Sequence, residues 1–142
     1  MKCEIVIDKN CEEKVVVYSK ENNDFIKSIK EFVENNESIV GYNGAEIIKI
    51  NFSEVYCFSV INNKVYAITQ KEKLQLKERL YTIEEKLPKN FAKINQSCIV
   101  NIDRIKKFDA SISGTLKVYL KNGYTDYVSR RQLKSIKEKI GI

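Results

Sequence analysis

The residues best placed to do chemistry stand in one run, Asn122-Gly123-Tyr124-Thr125-Asp126-Tyr127-Val128-Ser129-Arg130-Arg131-Gln132. It reads as a tight turn, a strand and the opening of a helix whose first turn holds two arginines. Ser129 has the type of an N-cap, and Gln132 three residues on completes a capping-box pattern. Leu133, Ile136 and Ile140 then recur at helical spacing as a buried stripe. Arg130 and Arg131 would sit at the positive end of the helix dipole, where a cation costs roughly 0.3–1 kcal/mol. The free N–H groups of the same end favour anions. Two readings stay open: solvated surface arginines, or arginines aimed at phosphate or base edges.

Other chemistries are thinly supplied. The chain has no histidine, which removes the commonest general base and the commonest metal ligand together. Serine–histidine and cysteine–histidine hydrolase arrangements and Cys₂His₂ zinc sites are thereby excluded. Phosphate-cradling G-x-x-x-x-G-K-[ST] and G-x-G-x-x-G loops are missing as well. Cys3, Cys11, Cys57 and Cys98 show no C-x-x-C spacing. They read as reduced thiols, Cys57 and Cys98 as small core residues within apolar runs. No cofactor, metal site or catalytic residue is expected, and the chain reads as non-enzymatic. Met1-Lys2-Cys3-Glu4 does not open a signal peptide, and no apolar run approaches the roughly 20 residues that span a bilayer. The expected location is the cytoplasm.

Charge divides the 142 residues unevenly. Residues 1–38 hold 6 basic and 9 acidic side chains, a net of −3, and residues 39–142 hold 19 and 10, a net of +9. A basic body suits a polyanion, either nucleic acid or an anionic membrane face.

In the first 38 residues, Cys3–Ile7 and Lys14–Ser19 read as strands. Asn23 or Asp24 caps a helix running to about Asn35, with Ile26, Ile29 and Val33 on one face. This β-β-α extension is too small for a secure core of its own, so it is expected to be a dimerisation element or an accessory layer. The body, residues 39–142, is strand-rich. Asn43-Gly44, Asn62-Asn63-Lys64, Ser113-Gly114 and Asn122-Gly123 mark turns between apolar runs. Lys73–Leu76 reads as a short strand, followed by a helix to Leu87 that uses Leu76, Leu80, Ile83 and Leu87 and is stopped by Pro88. Asn95-Gln96-Ser97 is a polar break between Phe91-Ala92-Lys93-Ile94 and Cys98-Ile99-Val100. Asn101 is expected to tie down the turn into Ile105 by side-chain hydrogen bonds. Tyr119, Tyr124 and Tyr127 are expected to pack on a sheet face.

These blocks carry a resemblance. Phe91-x-Lys93-Ile94-x-x-Ser97-x-Ile99-Val100-Asn101-x-x-x-Ile105, then Leu120-Lys121-Asn122-Gly123 and Val128-Ser129-Arg130-Arg131, resemble the LytTR DNA-binding domain family from about Val40 to Ile142. Glu54-Val55-Tyr56-Cys57-Phe58 and Leu80…Ile83…Leu87 fit the same order. The resemblance implies an elongated, mainly antiparallel β domain of bacterial transcription regulators. Such domains insert loops into successive major grooves of double-stranded DNA, often as a homodimer on paired sites. It places DNA contacts at Asn62, Asn63 and Lys64, at Lys93, Asn95, Gln96 and Ser97, and at Arg130 and Arg131. Many members carry histidine at the position of Asn95 and arginine at that of Lys93, so an altered site preference is expected. Lys93 lacks the bidentate fork of arginine. The 38 residues before the body are too few for a phosphoacceptor domain. The layout resembles stand-alone members often encoded beside small membrane proteins, which implies a regulatory membrane partner. The competing functions are a single-strand or RNA-binding β-module, which needs exposed aromatic platforms, and a protein-interaction adaptor using the basic face.

Overall fold

Strand residues two apart share a face, and the central runs of this sequence are apolar on both. Such strands need a layer on each side. The structure, a computed structural model, describes residues 2–35 and 38–141 and supplies both layers. By their contacts the residues form two units, Met1–Asn35 and Asn36–Ile142.

In the second unit, β1 (Ser38–Asn43), β2 (Glu46–Asn51), β3 (Cys57–Ile61), β4 (Lys64–Ile68), β5 (Lys73–Leu76), β6 (Phe91–Asn95) and β7 (Cys98–Asn101) form one antiparallel sheet in the order β2-β1-β5-β4-β3-β7-β6. A second sheet orders β10 (Thr125–Val128), β9 (Leu116–Leu120) and β8 (Ile105–Asp109). On one face of the large sheet, Phe58 stands opposite Ala67 and Ile99 and packs with Phe52, Phe91, Leu80 and Ile83. The Phe58 and Phe91 rings lie 5.7 Å apart. Leu80 and Ile83 come from α2 (Leu80–Glu84). On the other face, Cys57 opposite Val100 packs with Ile94, Cys98, Val118, Leu120 and Ile136. Ile136 belongs to α3 (Leu133–Ile140). Fully burying side chains of this size contributes about 1.5–3 kcal/mol each, which fixes the register of β3 and β7.

The predicted helix to Leu87 ends early. Leu76 is in β5, and after Glu84 the chain tightens into three-residue bonds from Lys86 N–H to the Ile83 carbonyl and Leu87 N–H to the Glu84 carbonyl. Asn101 behaves as its type suggested. Its side chain is buried, donates to the Val55 carbonyl at 3.0 Å and accepts from Asp103 N–H at 3.0 Å.

In the first unit, Asn23 caps α1 (Asp24–Asn35), its Oδ1 accepting from Ile26 N–H at 3.1 Å. The expected strands Cys3–Ile7 and Lys14–Ser19 are not strands: among the described residues no ladder forms before Ser38. Their alternation needs a pairing partner, and two isolated strands are marginal in water. Ile5, Ile7, Tyr18 and Phe32 are left largely exposed. Val15 and Val17 line a shallow apolar hollow with Ile26, Ile29 and Val33 of α1.

Candidate nucleic-acid interface

Three short polar turns are brought together by strand register. Asn62 and Asn63 join β3 to β4 with φ of +51° and +64°, the left-handed pair that a two-residue hairpin requires and asparagine tolerates. Both are exposed, as is Lys64, which opens β4 opposite Ile61. Gln96 and Ser97 form the exposed turn from β6 to β7, closed by Asn95 opposite Cys98. Cys98 in turn stands opposite Ser59, and Val60 N–H donates to the Ser97 carbonyl at 2.8 Å. This turn therefore emerges at the same end of the sheet as Asn62-Asn63, one strand away.

The third turn is Ser129 to Gln132, leading into α3. Ser129 N–H donates to the Ile94 carbonyl at 2.8 Å, holding the turn against the end of β6. The Ser129 carbonyl then accepts from Gln132 N–H and Leu133 N–H at 3.0 and 3.1 Å. The predicted capping box does not form, for Gln132 makes no side-chain capping bond. The backbone N–H that its side chain would have to satisfy is already given to Ile94. Arg130 and Arg131 are exposed, and neither side chain has a partner among the described residues. Both remain free to meet an anion or a base edge. At the far end of α3, Gly141 at φ +83° donates to the Lys137 carbonyl, the left-handed C-terminal stop expected of glycine.

Asn95 is the clamp between the second and third turns. Its Nδ2 donates to the Tyr127 carbonyl at 2.8 Å, and its Oδ1 accepts from Ser97 N–H at 2.8 Å. The sequence showed only a polar residue at a strand end, because Tyr127 lies 32 positions away. Lys93, half-buried on β6 opposite Ile99, lies two residues before Asn95 across a register shift in the ladder. Gln96, Ser97, Asn62, Asn63, Lys64, Arg130 and Arg131 cluster at the sheet end, and Lys93 stands beside it on the flank.

Beneath the turns the packing is polar but closed. Ser59 Oγ and Tyr124 Oη are hydrogen-bonded at 2.7 Å, and burial pushes the Tyr124 hydroxyl up to about 12. The adjoining Cys57 thiol and burial push the Cys98 thiol well above the usual range, so it stays protonated and unreactive. Tyr119 and Tyr127 lie on the outer face of the small sheet with the Lys117 ammonium over both rings, at 5.0 and 5.6 Å. Among the described residues no three histidine, cysteine, aspartate or glutamate side chains are grouped to hold a metal ion. No helix among the described residues is long and apolar enough to cross a membrane.

Comparison with known proteins agrees with this fold. The family profile described as LytTr DNA-binding domain matches residues 45–141. Uncharacterized HTH-type transcriptional regulators of Staphylococcus aureus strains MSSA476 and NCTC 8325 are each 40% identical over 146 residues, covering 100% of this chain and 99% of their own. The solved LytTr DNA-binding domain of a methyl-accepting/DNA response regulator from Bacillus cereus superposes with a TM-score of 0.71 at 23% identity, over 75% of this chain and 98% of that one. Successive helices here are always separated by strands, so among the described residues no helix-turn-helix unit is present.

Proposed function

The chain belongs to the LytTr DNA-binding domain family, and on that premise we propose that it is a sequence-specific transcription regulator of double-stranded DNA. Its three turns enter successive major grooves. Arg131 reads a base edge, Arg130 and Lys93 hold phosphates, and Asn62, Asn63, Lys64, Gln96 and Ser97 complete the contact. Asn95 sets the spacing of the last two turns. The observation that carries this reading is the convergence of three polar turns, with two unpartnered arginines, at one end of one sheet. Phosphate contacts supply affinity, and the arginine and amide groups supply discrimination. The protein acts without catalysis, in the cytoplasm, as a homodimer on paired sites, and a membrane protein is the candidate controller.

A single-strand or RNA-binding platform has less support, because the Tyr119 and Tyr127 rings of the small sheet are already covered by the Lys117 ammonium. The deciding experiment is fluorescence anisotropy of the pure protein with its own upstream promoter and with a shuffled duplex, across a salt series. Preference for the promoter at physiological salt is expected. Equal, steeply salt-dependent binding to both would refute sequence specificity.

A further inference from the structure

Behind the turns, along the flank of β6, runs a groove of about 370 Å³ between β6, α3 and the segment after α2. Its polar lining comprises Lys89, Lys93 and Lys139, with Gln132 and Ser135, against one acid, Glu84. Its floor is buried: Phe91, Ile99 and Ile136 are each at most 5% exposed. Lys139 is anchored across the groove, its Nζ donating to the Phe91 carbonyl at 2.6 Å. That bond uses one of three ammonium donors and leaves two. The apolar stripe of α3 alone predicted none of this, because spacing along the helix made Lys139 one more solvated side chain.

We propose that this groove is a phosphate track for the DNA backbone, extending the contact beyond the turns along α3. The inference rests on the DNA-binding reading above. Two observations select the occupant. The lining is cationic, three lysines to one glutamate, which suits a chain of phosphodiesters. The groove is also continuous with the proposed interface: Gln132 follows Arg131 directly, and Lys93 lies two residues before Asn95 on β6. From Gln132 to Lys139 the helix rises about 10 Å. That length spans about three phosphates of one strand at 3.4 Å each along the duplex axis. The backbone that leaves the groove read by Arg131 would thus be held by Lys93 and Lys139 with Ser135 between them.

The test compares two substitutions of equal charge on one helix. Lys139→Gln removes the charge in the groove and leaves an N–H donor on a side chain one atom shorter, whereas Lys137→Gln removes a charge from an exposed residue that does not line it. Binding to promoter and shuffled duplexes is measured across a salt series on the full chain, with thermal melting alongside. Lys139→Gln should weaken both complexes by at least about threefold and lower the salt slope by about one, with Lys137→Gln close to wild type. Ser135→Glu, which leaves the Lys139 anchor intact, should weaken both complexes further at unchanged melting temperature. Equal small effects of the two lysine substitutions, with Ser135→Glu silent, would overturn the track while leaving the DNA reading in place. A wild-type protein with no duplex affinity would overturn both.

Discussion

In the proposed reading Arg131 and Lys93 have two different jobs that a single affinity would blur. An arginine fork on a guanine edge discriminates by about 1–3 kcal/mol, whereas a lysine on phosphate contributes equally to every sequence. Arg131→Ala should therefore reduce the preference for promoter over scrambled duplex roughly 5- to 150-fold. Lys93→Ala should weaken both complexes and flatten the salt slope by about one. An unchanged affinity ratio for Arg131→Ala would remove its base-reading role. Asn95 gives a different signature, because both ends of its amide are already used by the Tyr127 carbonyl and the Ser97 N–H. Asn95→Ala should cost about 1–2 kcal/mol of stability for those bonds, seen in chemical denaturation, and should weaken specific binding by letting two turns drift. Lost affinity at unchanged stability would instead make Asn95 a direct contact.

At the scale of elements, the turns were legible and their partners were not. Asn62-Asn63 and Asn122-Gly123 announce hairpins because positive φ is a local demand met by few residues, and Asn62, Asn63 and Gly123 do have positive φ. Gly41 shows the opposite case. It sits within β1, and a Cβ there would lie 2.7 Å from Ile50 Cδ1 and 2.9 Å from Leu74 Cβ. Leu74 Cβ is fixed to the backbone of β5, so the strand itself must move. Gly41→Ala should destabilise by roughly 1–3 kcal/mol, while Ile47→Ala on the exposed edge strand β2 should stay within about 0.5 kcal/mol. Comparable denaturation midpoints for the two variants would show that the sheet yields easily at Gly41. Cys3–Ile7 and Lys14–Ser19 fail for the same non-local reason. Alternation names a face for each residue but supplies no neighbour to pair with. The expected Ser129 capping box fails by competition: α3 begins at Leu133 with Gln132 as its N-cap, and the Ser129 N–H is taken by Ile94, 35 positions earlier.

Across the whole molecule, charge is divided between the acidic residues 1–38 and the basic residues 39–142, and salt should move two equilibria in opposite directions. The basic residues 39–142 attract the duplex, while residues 1–38 carry a net −3 and present Ile5, Ile7, Tyr18 and Phe32 to solvent. In the homodimer proposed above, that apolar surface would face the second copy of the chain. Repulsion between two such units is screened within about 8 Å at physiological ionic strength, whereas each apolar side chain buried contributes about 1.5–3 kcal/mol. Burial wins, and added salt should slightly tighten the dimer as it loosens the DNA complex. Sedimentation equilibrium of the full chain at micromolar concentration should find a dimer. The double substitution Ile7→Glu and Phe32→Glu should leave a monomer with an unchanged melting temperature, because both positions are at least 72% exposed. On a duplex with two sites the variant should lose cooperativity yet keep its single-site affinity within about twofold, since the removed energy belongs to the protein–protein step alone. A wild-type monomer, or a double variant that still dimerises, would place the second copy elsewhere or nowhere.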